Sequence, residues 1–443
     1  MSCRGRRLSE MQNPAMKVAV YLGARDPEVG GGFAFQTSVA EALKGLESRH
    51  EYVVIYDRRG RQLAETGPEG ASVKYLHGEQ ATAPAATGPS GEGLLKGVGT
   101  RIKKVGCRFR RRYRRSLGLR DRTEIEAERE SPLQRLVKEE EFDLIWFASQ
   151  KYQHVSIPFI CTVWDLQHRL QPFFPEVSTA GWTWGQREEH YRFFLPRATK
   201  VLTGTHVGKR EIAHFYGVAE DNIEVIPFAV PPYLRGRLQE KSSNVRDKYG
   251  LKDKYFFYPA QFWPHKNHVN VLLGLKRAIA EHNLDAELVF AGSDRGNQAF
   301  VEDEIRRLGL EKTVHILGFV PRSDVLDLYQ EAQALVFASF FGPDNIPPLE
   351  AFALGCPTIA ARVNGAQEQL GDAAILVDPA RPDEIAMAMV VVSNDVALRR
   401  KLKSEGYNRI ESLTPAAYVK SVNKIIDRLA SIRRCWGGNA TYR

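Results

Sequence analysis

The chain has 443 residues, 43% of them hydrophobic and 26% charged, enough for two or three globular domains that each bury a core. No apolar run reaches the ~20 residues of a membrane-spanning helix, and residues 1–15 are polar and basic, without the hydrophobic stretch of a secretory signal. The net charge of +9 is local: residues 101–122 hold eleven Lys/Arg against Asp121 and leave −1 for everything else, so a general nucleic-acid-binding surface is a poor reading and no nucleic-acid partner is expected. The five cysteines, Cys3, Cys107, Cys161, Cys356 and Cys435, are odd in number and lack metal-ligand spacing, which suits a reducing cytoplasm.

In chain order, residues 17–23 (KVAVYLG) read as a buried strand, followed by a glycine-rich turn at Gly30, Gly31 and Gly32 and a helix over about 33–46. Strands are then expected at 51–57, 142–148, 159–165, 200–204 and 223–228. These are short, continuous apolar runs of the kind found in parallel sheets covered on both faces. Residues 67–99 are rich in Gly, Ala, Pro, Ser and Thr and predict a poorly ordered insertion. The basic segment 101–122 follows it. Ile102, Val105, Phe109, Tyr113 and Leu117 are spaced as one helical stripe. Two readings stay open for that stripe, a solvated helix packed on one face or a helix lying peripherally on an anionic inner membrane surface.

Residues 231–254 look like a linker. A second series of strands begins after it, at 255–260, 287–292, 314–317, 334–338, 358–361 and 374–377, with helices such as 269–280 and 325–332 between them. Residues 415–432 carry apolar positions at Tyr418, Val422, Ile425, Ile426 and Leu429, which predicts an amphipathic C-terminal helix. The fold class is therefore α/β, with two doubly wound domains facing across a cleft. The expected division is a tail over 1–15, a first domain over 16–230 with an insertion at 67–122, a second domain over 231–414, and a terminal helix and tail over 415–443.

The chemistry concentrates at 341–357, FGPDNIPPLEAFALGCP. Asn345 is a plausible N-cap, Pro347 and Pro348 suit a first helical turn, and Gly355 suits a stop. A helix starting just beyond a strand's C-terminal end aims its N–H groups into the cleft, where they attract phosphate. Glu350 is expected on the first turn. It either accepts hydrogen bonds from a ribose diol or merely complements the helix dipole. Asp165 at a strand end, with His168 three residues on, is a candidate for the reacting sugar. Lys209 is a candidate second phosphate contact or an ordinary surface lysine. Gly31 and Gly32 either admit a diphosphate close to the backbone or serve a tight turn. No Asp-x-Asp, no His/Cys cluster and no P-loop pattern occurs, so no metal and no cofactor is expected.

These segments resemble the retaining glycosyltransferases of family four, which have the GT-B fold of two Rossmann-like domains. The likeness is carried by 258–267 (YPAQFWPHKN), 317–320 (LGFV), 341–357 and 363–379 (VNGAQEQLGDAAILVDP), and more weakly by Gly30 to Gly32 and 163–175 (VWDLQHRLQPFFP). The resemblance implies that Lys266 contacts the donor diphosphate, that Glu350 contacts the ribose as the second acid of an E-x7-E pair, and that Phe319 and Val320 line the base pocket. It further implies contacts to the donor from Gly31, Gly32, Gln261, Asp344, Asn345, Ile346 and Pro347. Departures are equally specific. Gln261 stands where the family has arginine, Gly342 where it has the first glutamate, and Trp164-Asp165 where it has His-Asp. Asp344 is the nearest acid to replace the missing glutamate. The implied activity is transfer of a hexose from a nucleotide-diphosphate sugar, as substrate, to a hydroxyl of a glycan or lipid-linked acceptor. Two competitors stay open: a catalytically weak member acting as glycan-binding protein or scaffold, and a nucleotide-sugar epimerase.

Overall fold

The computed structural model describes residues 14–24, 31–57, 72–76, 131–178, 182–234, 244–433 and 435. Gly30, the basic segment 101–122 and residues 1–13 of the N-terminal tail lie outside them.

Thirteen described strands form two wholly parallel sheets. The first has β1 (Lys17–Ala24), β2 (Glu51–Asp57), β3 (Ser72–Leu76), β4 (Leu144–Phe147), β5 (Phe159–Thr162), β6 (Lys200–Thr203) and β7 (Ile223–Val225), in the order β3-β2-β1-β4-β5-β6-β7. The second has β8 (Tyr255–Pro259), β9 (Glu287–Ala291), β10 (Val314–Ile316), β11 (Ala334–Phe337), β12 (Thr358–Ala361) and β13 (Ala374–Val377), in the order β10-β9-β8-β11-β12-β13. Both reverse direction beside the first strand, and such a switch point opens a crevice at the strands' carboxyl ends. The central strands are mostly apolar because both faces are covered: Leu144–Phe147, Phe159–Thr162 and Glu287–Ala291 are buried at every position.

Three differences from the sequence reading have plain causes. Ser72–Leu76 forms β3, paired in parallel with β2, inside the stretch expected to lack order. It is an edge strand, and its alternating SVKYL gives no continuous apolar run. Gly31 and Gly32 form no tight turn but open the Gly31–Lys44 helix. Part of the expected linker is structured: Asn244 caps the short helix Val245–Tyr249, and Val245 is fully buried in the second core.

The helix Pro415–Arg433 crosses back to the first domain. Tyr418, Val419, Val422, Ile425 and Ile426 pack into the core formed by β1, β4 and the Gly31–Lys44 helix, with Phe35, Trp146 and Phe228. At the crossing the Val230 N–H donates to the Leu413 carbonyl, 2.9 Å. The chain thus passes between the domains twice, in two loop segments joined by this hydrogen bond.

Candidate active site

The carboxyl ends of both sheets meet in this cleft. From the first domain come Trp164 and Asp165 beyond β5, Gly204 beyond β6, and the starts of the helices Gly31–Lys44 and His206–Tyr216. From the second come the turn Pro264–Lys266 beyond β8 and the loop beyond β11 that leads into the helix Ile346–Ala353.

Lys266 ends that turn. Asn267 follows in the left-handed conformation, φ 60°, and its buried amide donates to the carbonyls of Ala338 and Pro379 at 2.8 and 2.7 Å. This clamps the lysine to the β11 loop. The ammonium lies 5.0 Å from the Phe337 ring centroid. Burial lowers its pKa to about 8, against the attraction of Asp165 and Glu176 across the cleft. The charge of this half-buried ammonium is costly to desolvate, and an anion beside it would offset that cost.

Asp165 is partly exposed and held by the Gln167 N–H at 3.0 Å, with Gln150 and Arg187 at 3.4 Å. His168 is placed differently from expectation. The short helix Gln167–Leu170 turns it into the core, where it is fully buried, hydrogen-bonded to the Tyr216 hydroxyl at 2.9 Å and stacked on Tyr191. Burial lowers it to about 4. It supports the fold and does not face the sugar. Lys209 sits half-buried in the first turn of the His206–Tyr216 helix.

The helix expected at 347–354 begins at Ile346, which moves Glu350 from the first to the second turn. Its Oε2 accepts from the Tyr329 hydroxyl at 3.0 Å, and burial raises its pKa. Arg322 and Tyr233 stand beside it. Asn345 precedes the helix but makes no side-chain cap; its amide donates to the Gly342 carbonyl at 2.9 Å. Two of the first four N–H groups are missing, because Pro347 and Pro348 carry none. This N-terminus therefore offers a phosphate its dipole and few hydrogen bonds, fewer than the sequence reading supposed.

Gly342 has φ +137°, and a Cβ there would collide with the Asn345 side chain. The backbone has no room for the family's glutamate. Gln261 is likewise occupied locally, accepting from the Trp263 indole N–H at 3.0 Å. Phe319 is 70% exposed, whereas Val320 is buried in the second core, so only Phe319 is available to line a pocket.

Asp344 points across the cleft. Its carboxylate covers Gly204, where any Cβ would strike it, and its Oδ2 is buried without a hydrogen-bond partner. Burial, with the carboxylates of Glu368, Glu211 and Asp165, holds its pKa well above the usual range. Glu211 is raised to about 7 by burial and by Asp165. Glu368 accepts from the backbone N–H groups of His206 and Val207 at 2.6 and 3.3 Å, so a carboxylate of the second domain complements a helix N-terminus of the first. Glu176 binds His265 through its backbone N–H, 3.1 Å, and its ring. Gln171 donates to the Phe340 carbonyl at 2.8 Å. The sequence reading missed Glu176, Gly204, Glu211 and Glu368. Their partners lie far away along the chain, and no local spacing signals them.

Two family models match the chain. "Glycosyltransferase Family 4" covers residues 35–232 and "Glycosyl transferases group 1" covers residues 241–409. An uncharacterised glycosyltransferase of Methanocaldococcus jannaschii is 29% identical over 207 residues, 45% of this chain and 52% of that protein. The O-antigen chain mannosyltransferase RfbU of Salmonella typhimurium is 28% identical over 244 residues, 53% of this chain and 63% of that protein. The matches thus span little more than half the length of these curated relatives. Among solved structures, sucrose-phosphate synthase from Thermosynechococcus elongatus superposes with TM-score 0.66 at 16% identity, covering 94% of this chain and all of that one. Anabaena HepE, solved with UDP and glucose, gives TM-score 0.61 at 16% identity, covering 94% of this chain and 100% of that one. Two parallel sheets with their carboxyl ends facing, and a final helix returning to the first domain, match that architecture. The chain belongs to the family-four, group 1 glycosyltransferases and has their GT-B fold.

Proposed function

We propose that the protein transfers a hexosyl group, with retention of configuration, from a nucleotide-diphosphate sugar to a hydroxyl of a glycan or lipid-linked saccharide. The observation that carries this reading is the under-neutralised Lys266 ammonium, half-buried at the carboxyl ends of the strands and facing Asp165 of the other domain. The diphosphate lies between Lys266, the Gly31–Gly32 amides and the positive end of the Ile346–Ala353 helix. Glu350 and the exposed Phe319 serve the ribose and base. The bond from C1 to the phosphate oxygen breaks and leaves its electron pair on the diphosphate; the acceptor oxygen bonds to C1 and its proton passes to the departing diphosphate. Lys266 stabilises the charge that develops on the leaving group, and it does so without a metal, in keeping with the lack of Asp-x-Asp in the sequence. The Glu368, Glu176 and Gln171 contacts hold the domains together and keep out water, which would hydrolyse the donor. The relatives named mannosyltransferases support a hexosyl donor.

No described helix is long and apolar enough to cross a membrane. A lipid-linked acceptor would bring the protein to the inner face of the membrane, with the basic segment 101–122 as the contact. Co-sedimentation with anionic vesicles at low salt tests this, and absence of binding removes it.

The central test is nucleotide release from a panel of GDP-, UDP- and ADP-sugars. Turnover that is lost in Lys266→Ala supports the reading. Absence of both turnover and nucleotide binding would support the competing glycan-binding or scaffold reading, which the locally occupied Gln261 and the crowded position 342 favour.

A further inference from the structure

Between the starts of the Gly31–Lys44 and Ile346–Ala353 helices lies a cavity of about 110 Å³, lined by Gly32, Phe35, Trp164, Phe228, Asp344 and Ile346. Phe35 and Phe228 are buried and pack edge to face, 5.2 Å between centroids, and Phe35 meets Trp164 in the same way at 6.0 Å. Trp164 lies against Gly32: a Cβ at 32 would stand 2.7 Å from Cζ3 and Cη2 of the indole. Gly32 therefore leaves room for the tryptophan as well as for a ligand. The one carboxyl group in the lining is Asp344, whose buried Oδ2 has no partner.

The position of the cavity gives it a role. A diphosphate held by Lys266 and the two helix N-termini has its nucleoside on the side of Glu350 and Phe319. Its other substituent, the sugar, is left on the side of Asp344 and Trp164. There the walls are carbon. A hexose presents a hydroxyl on nearly every carbon, and its exocyclic C6 reaches furthest from the ring. A hydroxymethyl group pushed into this recess would lose its water among carbon walls, with Asp344, the one carboxyl of the lining, left to serve both it and the ring hydroxyls. A methyl group would fill the same space and bury apolar surface. An acetamido group brings both an N–H and a carbonyl, which need more partners than one carboxyl provides.

We propose that this cavity is the donor-sugar subsite and that it selects a 6-deoxyhexose, with the C6 methyl against Trp164, Phe35, Phe228 and Ile346 and Asp344 hydrogen-bonded to a ring hydroxyl. The inference rests on the glycosyl-transfer reading above and narrows its donor. Apolar walls discriminate modestly against an added hydroxyl, on the order of 10- to 100-fold in kcat/KM.

The test uses the full chain and donor pairs that share a nucleotide: GDP-mannose with GDP-6-deoxymannose, and UDP-glucose with UDP-6-deoxyglucose. UDP-N-acetylglucosamine is the acetamido control. Affinity is measured by thermal shift and turnover by nucleotide release. The expected result is a preference of about tenfold or more for the 6-deoxy member of the pair whose nucleotide binds. Equal use of both members, preference for the parent hexose, or preference for the acetamido sugar overturns the proposal and leaves glycosyl transfer standing. Failure of every nucleotide sugar to bind overturns both. Trp164→His should move the 6-deoxy to hexose ratio toward the hexose by tenfold or more. Ile346→Thr, a smaller change at the rim, should move it in the same direction. If both variants fold and neither changes the ratio, these walls do not read C6 and the proposal fails.

Discussion

Replacing Lys266 by methionine should make the protein more stable and nearly inactive. Methionine keeps the length and packing of the stem and removes the ammonium. Burial takes that ammonium from its ordinary 10.5 to about 8, which corresponds to about 3 kcal/mol at ~1.4 kcal/mol per pH unit. The side chain is only half-buried, so solvent screening reduces the net effect to about 1–2 kcal/mol. The pH dependence has a definite sign. Below about 8 both the folded and the unfolded lysine are charged, and the folded protein bears the full desolvation cost. Between about 8 and 10.5 the unfolded chain binds the extra proton, so the stability of the parent protein rises with pH. The advantage of Lys266→Met in thermal or urea unfolding should therefore be greatest near pH 7 and should fade toward pH 10.5. Turnover should drop by about 10²–10³, the usual loss when one stabiliser of a developing anion is removed. A variant that is less stable at pH 7, or whose advantage grows with pH, would refute the burial argument. Undiminished turnover would remove Lys266 from the chemistry.

Three further outcomes are expected. Gly342→Glu, which restores the family's residue, should restore no activity and should destabilise by about 1–3 kcal/mol, because position 342 has φ +137° and the Asn345 side chain fills its Cβ space; denaturant midpoints check it. Gly204→Ala should push Asp344 off the first domain and cost up to about 10²-fold in kcat through misplacement, with unchanged far-ultraviolet circular dichroism. His168→Phe should cost about 1–3 kcal/mol by leaving the buried Tyr216 and Glu188 short of a partner, while kcat per folded molecule is unchanged. In the parent, the His168 contribution to stability should fall away as pH drops from 6.5 toward about 4, since the unfolded imidazole takes a proton the buried one refuses.

The fold was legible because parallel strands covered on both faces are written as continuous apolar runs, and twelve such runs stand in the sequence. The runs overshoot the strands, for example 159–165 against Phe159–Thr162, because Val163 and Leu166 remain buried after the ladder ends. The edge strand β3 was hidden by its alternation and its glycine-rich surroundings. In the site, Lys266 and Glu350 were legible through motif spacing. His168 was misread because spacing from Asp165 says nothing about how a four-residue helix turns between them. Gly204 and Glu368 were invisible, since each acquires its role from a partner in the other domain, well over a hundred residues away.

The two groups left under-satisfied in the cleft differ in kind, and the difference decides where an anionic group can sit. Lys266 is a cation facing Asp165 and Glu176. Asp344 is surrounded by the carboxylates of Glu368, Glu211 and Asp165, which favour its neutral form. A dianionic group therefore gains at Lys266 and is repelled near Asp344, whereas a neutral hydroxyl can hydrogen-bond to the Asp344 carboxyl without meeting repulsion. A nucleotide sugar carries its charge at the central diphosphate and none on the sugar or the nucleoside, so these groups set the diphosphate at Lys266 and leave Asp344 to a neutral part of the ligand. A ligand shifted so that its diphosphate lay beside Asp344 would meet three carboxylates and leave the lysine without an anion. The departures at 164 and 342 leave this polarity intact, because neither Trp164 nor Gly342 carries charge. For a donor bound as proposed, the placement of its diphosphate thus follows from charges the chain retains, independently of the family residues it has lost.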